Sequence, residues 1–197
     1  AAAAAGTPIY LELSSINPTV ILPGALAERA AAIADEYATS CLMAAGQFCT
    51  NPGLLLMIAD EASDSFVAAV ADRFRAAGAG VLLSGGVARS LAEDISALRA
   101  AGATCLAGGG PADAAGYVVE NTLLQITGAE FLADTKKYQT EMFGNAALAV
   151  VAADVAELET ILRRLDGNLT GTVYTDNDGR GNSLYAAIEP TLRRRVG

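Results

Sequence analysis

From Gly24 to about Met43 the apolar residues Leu26, Ala30, Ile33, Tyr37 and Cys41 recur at steps of three and four, which predicts an amphipathic helix. Before it come two short β-prone runs, Ile9 to Leu13 (IYLEL) and Thr19 to Leu22 (TVIL), separated by SSINP, whose Ser, Asn and Pro are turn formers. Leu54 to Ala59 (LLLMIA) is a continuous apolar run of strand length, the pattern of a central strand buried on both faces. A second helix is predicted from about Ser63 to Ala77, with Phe66, Val70 and Phe74 on one stripe, and a third from about Ala88 to Ala101. Short strands are predicted at Val81 to Leu83, Thr104 to Ala107 and Tyr117 to Thr122. Ala147 to Val151 reads as another buried strand, followed by a helix capped by Asp154 and reaching Leu165. A β-prone run, Leu169 to Thr175, and a last helix from about Ser183 to Arg194 complete the pattern. Strands alternating with helices predict an α/β domain whose mostly parallel sheet is covered by helices.

Composition narrows the partners. The 197 residues, 52% apolar, suit one compact domain. Net charge is −9 with a pI near 4.4, so the basic footprint of a nucleic-acid or anionic-membrane binder is missing. No stretch approaches the ~20 apolar residues of a membrane span, and Ala1 to Ala5 lacks the basic start of a signal peptide. A cytoplasmic protein is therefore expected. Three cysteines and no histidine form no metal-ligand spacing, which predicts free thiols and no metal site. The glycine-rich segment 108–116 (GGGPADAAG) lacks the βα context of a phosphate loop, and SGG at 84–86 lacks GxGxxG spacing. Residues 1–7 are set aside as a linker or appended sequence.

The stretch that carries chemistry is GQFCTNPG, residues 46–53, a shaped segment between the first helix and the LLLMIA strand. A thiol near pKa ~8.5 is only a few per cent thiolate at neutral pH, so a reactive Cys49 needs an electropositive setting or a base. Without histidine that base is a carboxylate, a lysine or water, and the lysines are only Lys136 and Lys137. Glu12, an acid within IYLEL, is the preferred candidate if the fold keeps it partly desolvated. The plainer readings are an edge strand whose Glu12 faces solvent and a packed core thiol at Cys49.

Four segments in order, LELSSINP (11–18), GQFCTNPG (46–53), EMFG (141–144) and GNLTGTVYTD (167–176), resemble the catalytic domain of the NAD(P)-dependent aldehyde dehydrogenase superfamily. The tail of the second segment is similar to the branch containing 2,5-dioxovalerate (α-ketoglutaric semialdehyde) dehydrogenases and an NADP-linked fatty aldehyde dehydrogenase. The resemblance implies a three-layer catalytic domain over residues 8–197. It also implies Cys49 as the nucleophile that forms a thiohemiacetal and then a thioester, and Glu12 as the base that activates the deacylating water. Glu141 would bind the nicotinamide ribose of NAD or NADP, and Phe143 would line the nicotinamide site. Hydride leaves the tetrahedral centre in such chemistry, so no histidine acid is required. GNLTGTVYTD reads as a structural strand even within the family.

Two departures stand out. Ser14 and Ser15 replace the glycines that many relatives carry beside the base, and Asn145 stands where the family usually has proline, a change expected to loosen the EMFG loop. The resemblance also implies a separate N-terminal cofactor-binding domain as a partner, a small-molecule aldehyde substrate, and a homo-oligomer at full length. The chain is expected to be truncated at both ends and inactive alone. Long-chain aldehyde oxidation and a non-catalytic interaction module are the competing readings.

Overall fold

The computed structural model describes residue 6 and residues 13–112, 114–179 and 181–197. The expected IYLEL strand, with Glu12 in it, lies outside the described residues apart from Leu13. In chain order the elements are β1 (Pro18–Ile21), α1 (Pro23–Leu42), a 3₁₀ turn (Met43–Gly46), β2 (Leu54–Ile58), α2 (Glu61–Ala76), α3 (Gly85–Ala100), β3 (Thr104–Ala107) and β4 (Thr122–Thr127). There follow α4 (Gly128–Ala133), α5 (Thr135–Tyr138), β5 (Ala146–Ala152), α6 (Val155–Arg164), β6 (Thr172–Tyr174) and α7 (Asn182–Arg193).

The six strands form one sheet in the order β3-β4-β5-β2-β1-β6. Every neighbouring pair is parallel except β3 with β4. β2 sits between β5 and β1, so the run read as a central strand is one. Its side chains alternate between two cores. Leu54 and Leu56 join Leu148 and Val150 of β5 beneath α3, α4, α6 and α7, whereas Leu55 and Met57 join Ala147 and Ala149 beneath α1 and α2. A sheet so covered needs no alternation of polar residues, which is why its strands read as unbroken apolar runs. The result is the expected helix–sheet–helix layering.

Local chemistry fixes the helix ends. Asp60 caps α2 through the Ser63 amide, with Ser63 returning the bond as a capping box, and Asp154 caps α6 through the Glu157 amide. Ser84 caps α3, so SGG is a helix start. The strand predicted at Tyr117 to Thr122 is corrected: β4 begins at Thr122, and Val118 and Val119 make only isolated bridges to Val81 and Pro111. The physical reason is burial. Leu123, Leu124 and Ile126 fill both cores, while Tyr117 is exposed. The strand predicted at Val81 to Leu83 is likewise reduced to the bridge at Val81.

Parallel pairing has a consequence for function. The segments just before β1, β2, β5 and β6 must all emerge at one edge of the sheet, the edge of the amino ends. Those segments are SSIN, GQFCTNPG, EMFGN and GNLTG. Motifs far apart in sequence are thereby gathered at one place.

Candidate active site

Cys49 is exposed on the loop that links the 3₁₀ turn to β2, so the packed-core reading of this thiol does not hold. The loop is turned tightly: the Asn51 amide donates to the Phe48 carbonyl (3.0 Å), and the Gly53 amide to the Asn51 carbonyl (2.8 Å). It leaves the 3₁₀ turn through three residues in the left-handed region, Ala44, Ala45 and Gly46. Gly46 is required there. A Cβ at this position would lie 2.0 Å from the Gly144 carbonyl oxygen, so the backbones of GQFC and EMFG meet only because Gly46 has no side chain. Gln47 ties the loop sideways, accepting from the Leu83 amide (2.7 Å) and donating to the Ala44 carbonyl (3.0 Å).

The far end of the loop is held from α1. The Tyr37 hydroxyl (2.9 Å) and the Cys41 thiol (3.3 Å) both donate to the Pro52 carbonyl. Burial pushes the Cys41 thiol up to about 12, with the Tyr37 hydrogen bond pulling the other way. Cys41 is therefore a structural thiol. Cys105, partly buried within β3, donates to the Ala107 and Gly108 carbonyls, 3.3 and 3.4 Å away. Only Cys49 among the three is both exposed and on the motif edge.

The GQFCTNPG and EMFG loops face each other across a small cleft. Gly46, Phe48 and Asn51 line one side, Glu141, Met142 and Phe143 the other, with Ser15 at one end, and its volume is about 20 Å³. Cys49 itself is not a lining residue; its neighbours are. Phe143 is exposed, Met142 is buried and Glu141 is half-buried. The Asn51 side-chain oxygen is buried with no hydrogen-bond partner among the described residues. It is an acceptor suited to a water or a hydroxyl. Asn145 was expected to loosen the EMFG loop, and the structure corrects this. Its amide nitrogen donates to the Val119 carbonyl (2.9 Å) and the Asn121 side chain (2.7 Å), fastening the loop to the segment before β4.

Two further asparagines were not singled out from the sequence. Asn168 accepts from the Ile16 and Asn17 amides (2.8 and 3.1 Å), joining GNLTG to SSIN. Asn17 donates to the Cys49 and Asn51 carbonyls, both at 2.9 Å, and accepts from the Thr170 amide at 3.1 Å. The available signal was an Asn-Pro pair opening an apolar run, which local rules read only as a turn. The buried polar contacts appear once segments 153 residues apart meet. Among the described residues no group of three or more His, Cys, Asp or Glu side chains could hold a metal, and no helix is long and apolar enough to cross a membrane.

Comparison with known proteins agrees with this arrangement. Residues 1–190 match the aldehyde dehydrogenase family. The chain is 37% identical over 202 residues to alpha-ketoglutaric semialdehyde dehydrogenase 2 of Azospirillum brasilense, covering 96% of this chain and 36% of that protein. It is 34% identical over 170 residues to alpha-ketoglutaric semialdehyde dehydrogenase of Acinetobacter baylyi, covering 86% of this chain and 32% of that one. The chain thus spans about a third of the length of these relatives. Among solved structures, an NAD-dependent aldehyde dehydrogenase from Sinorhizobium meliloti superposes with a TM-score of 0.77 at 21% identity, covering 99% of this chain and 38% of that one. An aldehyde dehydrogenase from Bacillus cereus superposes with a TM-score of 0.78 at 20% identity, covering 95% and 38%. With the family matched over nearly its whole length, the chain belongs to the aldehyde dehydrogenase family.

Proposed function

We propose that this chain is the catalytic part of an aldehyde dehydrogenase that converts α-ketoglutaric semialdehyde to the dicarboxylate, with Cys49 as nucleophile. The observation that carries the reading is the exposed Cys49 standing on the edge where GQFCTNPG and EMFG meet. The names of the two bacterial relatives support the substrate.

In this reading the Cys49 thiolate adds to the aldehyde carbon, giving a tetrahedral thiohemiacetal. Collapse of that adduct expels hydride and leaves an acyl thioester on Cys49. Glu12, in the segment that leads into β1, removes a proton from water, which attacks the thioester; the carboxylate departs and the thiolate returns. NAD or NADP supplies the hydride acceptor when bound. The half-buried carboxylate of Glu141 and the exposed ring of Phe143, beside the nucleophile loop, fit the ribose hydroxyls and the apolar face of such a cofactor. The cleft formed by this chain has room for about one water, so the remaining walls of the substrate site come from elsewhere. We assign them to a separate cofactor-binding domain, since the sequence carries no dinucleotide fingerprint. The chain is accordingly a partner to that domain, and the complete protein a soluble, cytoplasmic homo-oligomer.

The test is differential labelling. Iodoacetamide at pH 7.5 is expected to modify Cys49 at least tenfold faster than Cys105 and to leave Cys41 unmodified, and the Cys49→Ser variant of the complete enzyme is expected to produce no NAD(P)H. Equal labelling of Cys49 and Cys105 would remove the activated nucleophile. NAD(P)H formation from 2,5-dioxopentanoate by the 197-residue chain alone would remove the need for a second domain.

A further inference from the structure

Asn17 is 2% exposed and adopts a backbone φ of +45°, in the left-handed region that Asn tolerates better than most residues. Its carboxamide is saturated. Nδ2 gives one bond to the Cys49 carbonyl and one to the Asn51 carbonyl, each 2.9 Å long. Oδ1 receives the Ser15 hydroxyl (2.7 Å) and both the amide and the hydroxyl of Thr170 (3.1 Å each). These partners fix which end of the amide is nitrogen, because a flipped amide would set its oxygen against two carbonyls and its NH₂ against an N–H.

We propose that Asn17 is the positioning residue of the nucleophile loop, setting the peptide planes that follow Cys49 and Asn51 by gripping the carbonyls of those two residues. This rests on the reading of Cys49 as nucleophile. The other long-range polar anchors among the described residues grip the loop away from Cys49: before it, Gln47 accepts from the Leu83 amide, and the rest lie farther along. Tyr37 and Cys41 reach the Pro52 carbonyl, and the Ile16 carbonyl reaches the Leu54 amide. Among the described residues only the Asn17 side chain reaches the carbonyl of Cys49 itself. It does so from a frame that is held independently, since Asn168 fastens the Ile16 and Asn17 amides and Thr170 fastens the Asn17 side chain. A short side chain with two donors and one strong acceptor is required at a left-handed position, and asparagine alone meets all of these demands. Aspartate would turn an oxygen toward two carbonyls, glycine would keep the φ without any donor, and serine would offer a single donor on a shorter arm.

The experiment compares the parent chain with Asn17→Asp, Asn17→Gly and, as a control, Thr170→Val, which leaves both loop bonds in place. Amide exchange of a peptide covering residues 47–53 is followed by mass spectrometry at pH 7.5 and pH 5, beside a peptide from β5. At pH 7.5 loop exchange is expected to rise roughly ten- to thirtyfold in Asn17→Asp, as befits two lost hydrogen bonds, with β5 unchanged. The two facing carbonyls favour the protonated carboxyl and the Ser15 and Thr170 donors the ionised one, and the protonated form offers one O–H in place of two N–H donors, so at pH 5 the ratio to the parent falls in part and stays above one. Asn17→Gly shows the same rise at both pH values, and it carries the comparison if the aspartate variant does not fold. Thr170→Val stays near the parent. Loop exchange equal to the parent in Asn17→Asp and Asn17→Gly overturns the proposal, as does an equal rise in the β5 peptide, which would make Asn17 a general structural residue. Labelling of the parent separates the two readings. If Cys49 reacts no faster than Cys105, the nucleophile assignment fails, while loop exchange still decides whether Asn17 holds the loop.

Discussion

Cys41 and Cys49 belong to one stretch of chain and have opposite surroundings. Cys49 stands in solvent on the motif loop, whereas Cys41, in the last turn of α1, is fully buried and donates to the loop's Pro52 carbonyl. Desolvation raises the Cys41 thiol from its ordinary 9.0 to about 12, so the folded chain keeps a proton there that the unfolded chain releases. Above pH 9 the unfolded state binds fewer protons, and stability falls as pH rises through 9 toward 12. Tyr37, raised by the same burial, adds a loss of the same sign above pH 10. The Cys41 contribution approaches roughly 4 kcal/mol at full titration. Urea unfolding at pH 8 and pH 10.5 is expected to show a smaller pH-dependent loss in Cys41→Ala than in the parent, and equal losses would contradict it. At this scale the sequence identified Cys49 through the glycine and proline that shape its loop. It did not identify Tyr37, Asn17 or Asn168 as loop anchors, because each acts on a backbone carbonyl or amide that lies beside it only in the folded chain.

Helices α4 and α5 show where pattern reading stops. Six and four residues long, they span too little chain for a 3.6-residue period to declare itself, and neither was anticipated. What forms α4 is local: the Thr127 hydroxyl accepts from the Glu130 amide, and Glu130 returns bonds to the Thr127 amide and hydroxyl. Those bonds hold the Glu130 carboxyl below its ordinary value. The box starts α4 where β4 ends, and α4 then delivers Phe131, fully buried, to the core beneath the sheet. A helix this short cannot stand on propensity. Thr127→Ala is therefore expected to cost about 1 kcal/mol at pH 7 in urea unfolding. Thr160→Ala, at a half-buried position of α6 where the hydroxyl bonds only back to the Ala156 carbonyl one turn earlier, is expected to stay within about 0.5 kcal/mol of the parent. Equal costs would show that the box does not define α4. Longer elements were legible because α1, α2, α3, α6 and α7 each bury one stripe, and β2 and β5 are apolar on both faces.

At the scale of the whole molecule, the motif edge also exposes large apolar side chains. Leu13, Leu169, Phe48 and Phe143 are 73%, 48%, 45% and 40% exposed, and all four lie in or beside the segments that precede β1, β6, β2 and β5. Burying such groups gains about 25 cal/mol for each Å² removed from water, so this edge favours association with any apolar surface offered to it. A net charge of −9 opposes the approach of a second copy, through repulsion that reaches about 10 Å in 0.1 M salt and about 3 Å in 1 M. The two effects respond oppositely to salt. Screening removes the repulsion while leaving the apolar attraction intact, so sedimentation of the purified chain is expected to show self-association that increases from 0.05 to 0.5 M NaCl. The double variant Leu13→Ser with Leu169→Ser is expected to remain monomeric across that range, with its unfolding free energy within about 1 kcal/mol of the parent, because neither side chain is buried. Association that weakens with salt would assign the contact to ion pairs instead. Salt-strengthened association that survives the double substitution would place the apolar contact away from the motif edge, and with it would go the support this surface lends to a docked cofactor-binding domain.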